Sequence, residues 1–356
     1  MARRTASPKE VVELGKAIFA SPRLSAVLTT CAIGAAVFSF TIRQLIGWPG
    51  LIAILSLLVV LAMLSLASQW REIGWRGLLP ISLMVFVGWA AASIFWSQYQ
   101  WTTLASLAYL LAFTLLGIYV SLARDTIQIV RSFGDVFRFA LGLSLGLEIF
   151  SGLLIDTPIR LLGITGRIAY LGPIQGLFVT RDQLGLVAAI ALITFGTELR
   201  TRSVRRSIAI TSIVLAVIML LLTQAPLAFG ALVIVIAAAG ALFGLRRVPA
   251  HTRRYWQLGV LVVTAAIGVV AWVFRSPIVT VFNASGALTY RLHVWQQLVV
   301  LTQQHTLQGW GWSGIWPEHV FPFDSLVNLG ARIPDSALNA YLDTWFQLGI
   351  VGFGIF

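Results

Sequence analysis

The stretch PGLIAILSLLVVLAMLSLAS, residues 49–68, decides the fold of this chain. It carries no charge and matches the ~20 apolar residues that a helix needs to cross the ~30 Å hydrocarbon core of a bilayer. A helix is the form it must take. In hydrocarbon a single crossing segment can satisfy its backbone N–H and C=O groups only within itself. Residues Leu227–Leu245 form a second charge-free block of the same kind. The alternating segments of about ten residues that mark a membrane barrel are absent.

Composition agrees with this reading. Of 356 residues, 58% are hydrophobic and only 11% are charged, against about 25% charged in soluble domains. The mean hydropathy is +0.88. A net charge of +12 raises the question of a nucleic-acid partner, but the arginines sit in short clusters between apolar blocks, the pattern of cytoplasmic loops. Nucleic acid is set aside and membrane lipids take its place. Cys31 is the single cysteine, so no intrachain disulfide can form, and no Cys/His cluster suggests a metal. No cofactor is implied. The basic stretch Met1–Arg23 precedes the first apolar block without a small-residue cleavage site, and reads as a retained tail.

Hydropathy predicts an all-α, polytopic transmembrane helix bundle of about ten spans with a long outer-face loop containing short amphipathic helices. The spans fall near 24–42, 49–68, 78–96, 102–122, 137–155, 183–199, 207–223, 227–245 and 257–274, with a tenth beginning near 341. With the N-terminus inside, eighteen of the 25 basic residues fall in cytoplasmic segments. These are Arg3, Arg4, Lys9, Lys16, Arg23, Arg71, Arg76, Arg124, Arg131, Arg138, Arg200, Arg202, Arg205, Arg206, Arg246, Arg247, Arg253 and Arg254. Arg43, Arg160, Arg167, Arg181, Arg275, Arg291 and Arg332 fall outside. The expected organisation is one membrane domain over 1–356 in the cytoplasmic (inner) membrane, with a cytoplasmic tail over 1–23 and a large outer loop over 275–340. The chain stops at Phe356 within an apolar run, which points to a fragment lacking later spans.

An outer-face arginine escapes the positive-inside rule and needs its own reason. Arg291, Arg181 and Arg167 together would suit a phosphate-bearing lipid, because a guanidinium grips phosphate oxygens with two charge-assisted bonds and keeps its charge. The plain alternative is anchorage to headgroups, or for Arg181 a local pair with Asp182. Glu148, within the fifth span, is a functional candidate or a structural partner of an arginine. Glu198, at the cytoplasmic end of the sixth, is expected to be solvated. From Leu288 to about Leu307 the apolar residues Leu288, Leu292, Trp295, Leu298, Val299 and Thr302 predict an amphipathic surface helix. Gly309, Gly311 and Gly314 then break it, and Trp310, Trp312 and Trp316 suit the headgroup layer. His293, His305 and His319 are candidate bases near neutral pH, although a surface histidine is usually inert. Asp335 and Asp343 are either proton acceptors or helix caps, and Asp335 with Ser336 resembles an N-cap.

Three motifs resemble the bacterial O-antigen ligase and Wzy-type polymerase superfamily of membrane glycosyltransferases. GLFVTRDQLGLVAAIAL (176–192) is similar to its re-entry motif, LTYRLHVWQQLVVLTQQHTLQGWGWSGIW (288–316) to the opening of its large outer loop, and ALNAYLDTWFQLGIVG (337–352) to that loop's end. They occur in order in the second half of the chain; the first half matches in hydropathy alone. The resemblance implies transfer of a glycan from an undecaprenyl-diphosphate carrier to an acceptor hydroxyl on a growing chain or a lipid-anchored acceptor, with no metal. It assigns the diphosphate to Arg291 and Arg181, assisted by Arg167. It places Asn339, Tyr341 and Trp295 in the acceptor and loop region. The departures are specific. Leu338 stands where the family usually has a histidine base, which leaves Asp335, His319 or Asp343 as the base, or a reaction that needs little help from a base. Thr306 replaces a proline, and Gln224-Ala225-Pro226 replaces a Ser-Arg pair. A lipid-linked oligosaccharide flippase and a non-catalytic partner in polysaccharide assembly are the alternatives. A transporter would place ionisable residues near the midplane, where Glu148 is the lone candidate, and Leu338 keeps the non-catalytic reading in play.

Overall fold

The computed structural model describes residue 13 and residues 17–70, 81–178, 180–249, 251–281, 285–329 and 334–356. Arg3, Arg4, Lys9, Lys16, Arg71, Arg76 and Arg332 lie outside the described residues. No β-strand occurs among the described residues, apart from an isolated bridge between Ile159 and Ile164. The helices are α1 (Pro22–Val37), α2 (Ser39–Ser68), α3 (Ile81–Ala92), α4 (Gln100–Ala123), α5 (Thr126–Ile149) and α6 (Arg181–Thr201). They continue with α7 (Arg206–Thr223), α8 (Pro226–Arg247), α9 (Arg253–Val273), α10 (Arg275–Val281), α11 (Ser285–Thr302) and α12 (Ala340–Ile355). Seven of these segments are long and apolar enough to cross a membrane. The expected spans near 24–42 and 78–96 fall on the shorter apolar helices Pro22–Val37 and Ile81–Phe95. The protein is a multi-pass, all-α membrane protein.

Local sequence explains the helix ends. Ser21 caps α1 by accepting from Leu24 N–H, with Pro22 in the first turn. Thr180 caps α6 by accepting from Gln183 N–H. Gln224 closes α7 in the left-handed conformation at φ 48°, and Pro226 opens α8 two residues later. Inside α2, Gly47 at φ 72° and ψ −178° breaks the helix between the expected first and second spans.

The chain divides into two compact units, Met1–Gln69 with Ala123–Phe282, and Trp70–Leu122 with Asn283–Phe356. In the first, α6 packs against α5, α7 and α8. Ala188, Ala189 and Ala191 keep its inward face narrow, and Phe137, Leu141, Phe195 and Met219 fill the space around it. Lipid tails are as apolar as leucine, so close packing of small residues is what drives such helices together. By contrast α9 buries no residue and α8 buries Ala228 alone, leaving their apolar surfaces to the bilayer.

In the second unit, buried Tyr99, Trp310, Trp316, Phe323 and Phe346 form an aromatic core with Val294 and Leu298 of α11. Trp310 and Trp316 are each only 3% exposed, so they are core residues and not the headgroup anchors their sequence context suggests. Their polar edges are satisfied internally: Trp310 Nε1 donates to the Leu301 carbonyl, and Trp316 Nε1 to Asp343 Oδ1. The expected tenth span is not a straight helix. α12 breaks at Gly349, with φ 68° and ψ −172°, a region open essentially to glycine alone. The ring centroids of Tyr341 and Phe356 lie 5.8 Å apart. In an unbroken helix those two positions would stand about 22 Å apart at 1.5 Å per residue, so the chain doubles back at Gly349.

Candidate functional site

The helix predicted from Leu288 is α11, and its packed face overlaps the expected one only in part, at Trp295, Leu298 and Thr302. Leu288, Leu292 and Val299 are 39%, 44% and 37% exposed, whereas Val294, Leu298 and Thr302 are buried. Positions 291, 294, 295, 298 and 302 follow helical spacing and share that inward face. Arg291 therefore begins the packed side of α11. It is half-buried and has no hydrogen bond or ion pair among the described residues. One turn on, Trp295 Nε1 donates to the Ala337 carbonyl at 2.8 Å, fastening this face to the segment that carries Leu338 and Asn339.

Around that segment the structure joins several of the sequence candidates. Asn339, not Asp335, is the N-cap of α12: its Oδ1 accepts from Tyr341 N–H at 3.0 Å and Leu342 N–H at 3.4 Å. The Asx side chain immediately before the helix wins because it alone reaches the free amides of the first turn. Asp335 is exposed and accepts from the Ser336 hydroxyl. Its backbone carbonyl accepts from Trp316 N–H, so Trp316 ties the Asp335 backbone to the Asp343 carboxyl. Asp343 Oδ1 takes a second hydrogen bond from Gln347 Nε2 at 2.8 Å. His319 and His293 are exposed, and His305 packs edge-on against Trp310 at 4.3 Å. Tyr341 is 62% exposed. Leu338 is 41% exposed and adopts the left-handed conformation at φ 53°.

Gln347 was missed by the sequence reading. It is 1% exposed, and its Oε1 accepts from Ser313 N–H at 2.9 Å and Gly314 N–H at 3.0 Å. One amide thus holds both the glycine-tryptophan turn and Asp343. The signal available in the sequence was a polar residue four positions after Asp343, within an otherwise apolar run.

In the first unit, Arg181 opens α6 on the face that continues through Leu184, Gly185 and Ala188, all buried. It is half-buried, with no ion pair or hydrogen bond among the described residues; in particular none joins it to Asp182. A cation at a helix N-terminus opposes the macrodipole, while the free N–H groups there favour an anion. Arg167 stands exposed at the start of a short 3₁₀ turn, Arg167–Tyr170. Arg43 and Arg275 behave differently. Arg43 lies over Phe40 and Trp48 at 5.4 and 5.1 Å, and Arg275 over Trp272 at 4.7 Å, the arrangement of interfacial anchors.

Both acidic candidates in the spans are structural in geometry. Glu148 is fully buried, and its Oε1 accepts from Gln175 N–H at 3.3 Å and Gly176 N–H at 3.0 Å; among the described residues no arginine pairs with it. Glu198 is fully buried, not solvated. Its Oε2 pairs with Arg138, which also reaches Asp135 at 2.8 Å and Ser212 Oγ at 2.9 Å and lies over Phe195. The expectation failed because Glu198 turns onto the inward face of α6, where α5 supplies a cation.

Residues 211–356 match the family model described as O-Antigen ligase. The match starts inside α7 and includes Arg291, Trp295, Leu338, Asn339 and Asp343, whereas Arg167 and Arg181 precede it. It supports the resemblance to the O-antigen ligase and Wzy-type superfamily of membrane glycosyltransferases. No curated protein and no solved structure matches the chain. Among the described residues no group of three or more His, Cys, Asp or Glu side chains is placed to share a metal ion.

Proposed function

We propose that this protein transfers a glycan from an undecaprenyl-diphosphate carrier to an acceptor hydroxyl at the outer face of the cytoplasmic membrane, in either the polymerase or the ligase sense. The observation that carries the reading is Arg291: a half-buried guanidinium on the packed side of α11, with no partner among the described residues. An ionised group drawn out of water without a counter-charge is costly, so such an arrangement favours an incoming anion. A lipid-headgroup anchor would instead sit on the outward side or stack on a ring, as Arg43 and Arg275 do. Arg181 shares both features, and Arg167 lies in the same loop region of its unit.

In the proposed reaction the acceptor oxygen attacks the anomeric carbon, and the bond from that carbon to the diphosphate oxygen breaks. Negative charge gathers on the departing diphosphate, where Arg291 stabilises it, and the proposed reaction needs no metal. The acceptor's proton needs a destination, and Leu338 cannot provide one. Of the three substitutes, Asp343 is the best placed. Two side-chain donors, Trp316 Nε1 and Gln347 Nε2, fix its Oδ1 and hold the carboxyl in one orientation, as a base requires. Asp335 and His319 are exposed side chains without comparable fixing. Asn339 contributes by capping α12 and Trp295 by holding Ala337, while the exposed Tyr341 hydroxyl is available to an acceptor. The commitment of Glu148 to backbone amides weakens the flippase reading, since Glu148 was its single midplane candidate.

The test is complementation of a deletion strain with wild type, Arg291→Ala, Arg181→Ala or Asp343→Asn, at matched membrane levels, with glycan length and attachment read on gels. Arg291→Ala is expected to lower product at least 100-fold. Single-repeat glycan would then indicate a polymerase, and full-length glycan left on its carrier a ligase. Wild-type glycan from Arg291→Ala, with no change on deletion, would overturn the reading in favour of a non-catalytic role.

A further inference from the structure

Just before α6 the chain packs against α5, and Glu148 stands at the contact. Ser144 and Glu148 lie one helical turn apart on one face of α5. Both side chains accept hydrogen bonds from consecutive backbone amides of the incoming loop. Glu148 Oε1 takes Gln175 and Gly176, and Ser144 Oγ takes Leu177 at 3.3 Å. The stretch 174–177 is held from other sides as well: Ile174 N–H donates to the Leu222 carbonyl at 3.1 Å, and the Thr41 hydroxyl to the Leu177 carbonyl at 2.8 Å. Upstream, Gln224 Nε2 donates to the Leu171 carbonyl at 2.8 Å. Gly176 sits at φ 55°, and a Cβ there would stand 2.5 Å from Ser144 Cβ, so the loop reaches these acceptors only because it has no side chain at that point.

We propose that Glu148 is a positioning residue for the diphosphate-binding arginine of its unit: its Oε1 fixes the Gln175–Gly176 backbone and thereby sets where Arg181 emerges at the start of α6. The inference rests on the donor-binding role proposed for Arg181. Buried backbone amides must be satisfied by protein, and two adjacent amides converging on one oxygen restrict how the loop can sit. Four residues lie between Gly176 and Arg181, and the last of them, Thr180, caps the helix that Arg181 opens. Among the described residues Glu148 Oε2 is buried and has no hydrogen-bond partner, so the hydrogen bonds this side chain makes there are the two to the loop. What the site uses is therefore an oxygen acceptor, and a glutamine can supply it.

The test compares purified full-length wild type, Glu148→Gln, Glu148→Ala and Ser144→Ala in lipid nanodiscs. Hydrogen exchange at residues 172–178 reports the loop, independently of any substrate, and binding of radiolabelled undecaprenyl diphosphate reports the arginines. Glu148→Ala is expected to speed exchange at Gln175 and Gly176 at least tenfold and to weaken binding by a similar factor. In the cellular assay it should raise the donor concentration needed without an equal loss of maximal rate. Glu148→Gln should match wild type in all three readouts, and Ser144→Ala, which removes one acceptor, should fall between them. If Glu148→Gln fails as Glu148→Ala does while the loop stays protected, Glu148 acts through its acidity and the proposal is wrong. Unchanged binding in Glu148→Ala despite a deprotected loop would overturn it as well. Should Glu148→Ala not fold, Ser144→Ala decides: faster exchange with wild-type binding refutes the proposal. Absence of binding in wild type would instead remove the donor-binding reading, with the exchange result still standing for the loop.

Discussion

Gln347→Met keeps the volume of the side chain and removes both polar ends, which makes it a direct probe of how the second unit holds its glycine-tryptophan turn. In the wild type the Gln347 oxygen satisfies two backbone amides, those of Ser313 and Gly314, at 2.9 and 3.0 Å. Ser313 is fully buried and Gln347 is 1% exposed, so water does not replace the lost acceptor without opening the turn. Leaving a buried amide unsatisfied costs about 1–3 kcal/mol, so two amides cost about 2–6 kcal/mol. Asp343 also loses one of its two donors, which adds to the penalty, while the methionine adds no packing defect because its size is similar. The assay is reversible unfolding of purified protein in mixed detergent and SDS, followed by tryptophan fluorescence, with hydrogen exchange over 309–316 as the local readout. The expected result is a loss of about 2–6 kcal/mol, with exchange at Ser313 and Gly314 accelerated ahead of the rest of the unit. A loss below about 1 kcal/mol with those amides still protected would show that the turn is held by something other than this amide. The reasoning about the site would then fail with it.

Two further outcomes follow from the same geometry. Leu338 holds a left-handed conformation that costs a leucine about 1–2 kcal/mol and that asparagine tolerates, so Leu338→Asn is expected to raise stability by about 1 kcal/mol in the same titration; a decrease would mean that the leucine side chain is packed to advantage. Tyr99, between α3 and α4, donates to the Gly311 carbonyl at 3.0 Å, and burial pushes its hydroxyl well above the usual tyrosine value of about 10. Its contribution is complete below that value and is lost as pH rises towards the folded-state value, because unfolded Tyr99 then releases a proton that the folded form retains. Stability should fall by up to about 1.4 kcal/mol per pH unit above pH ~10, and Tyr99→Phe should remove that part of the slope.

Sequence alone determined that this is a helical membrane protein, because a charge-free run such as 49–68 has no other way to satisfy its backbone in hydrocarbon. It also picked out Arg181 and Arg291, since an arginine on the expected outer side has no topological reason to be there. The irregular stretch after α11 was legible too, written in Gly309, Gly311 and Gly314, although the helix ends at Thr302, ahead of the expected Leu307. What periodicity did not contain was the side of each helix that meets protein. An apolar residue serves equally well against lipid and against another helix, so the exposed Leu292 and the buried Leu298 look alike in the sequence. For that reason the packed face of α11, the core role of Trp310 and Trp316 and the burial of Glu198 were all decided by tertiary structure. Capping and backbone satisfaction were decided there as well. Asn339 displaced Asp335 as cap by a matter of reach, and Glu148, Ser144 and Gln347 found their partners in backbone amides 27 to 34 positions away. Such pairings leave no local pattern, because a carboxyl or an amide oxygen accepts from any N–H that folding brings within 3 Å or so. The sequence named the arginines, and the fold supplied the oxygens that hold the loop leading to Arg181.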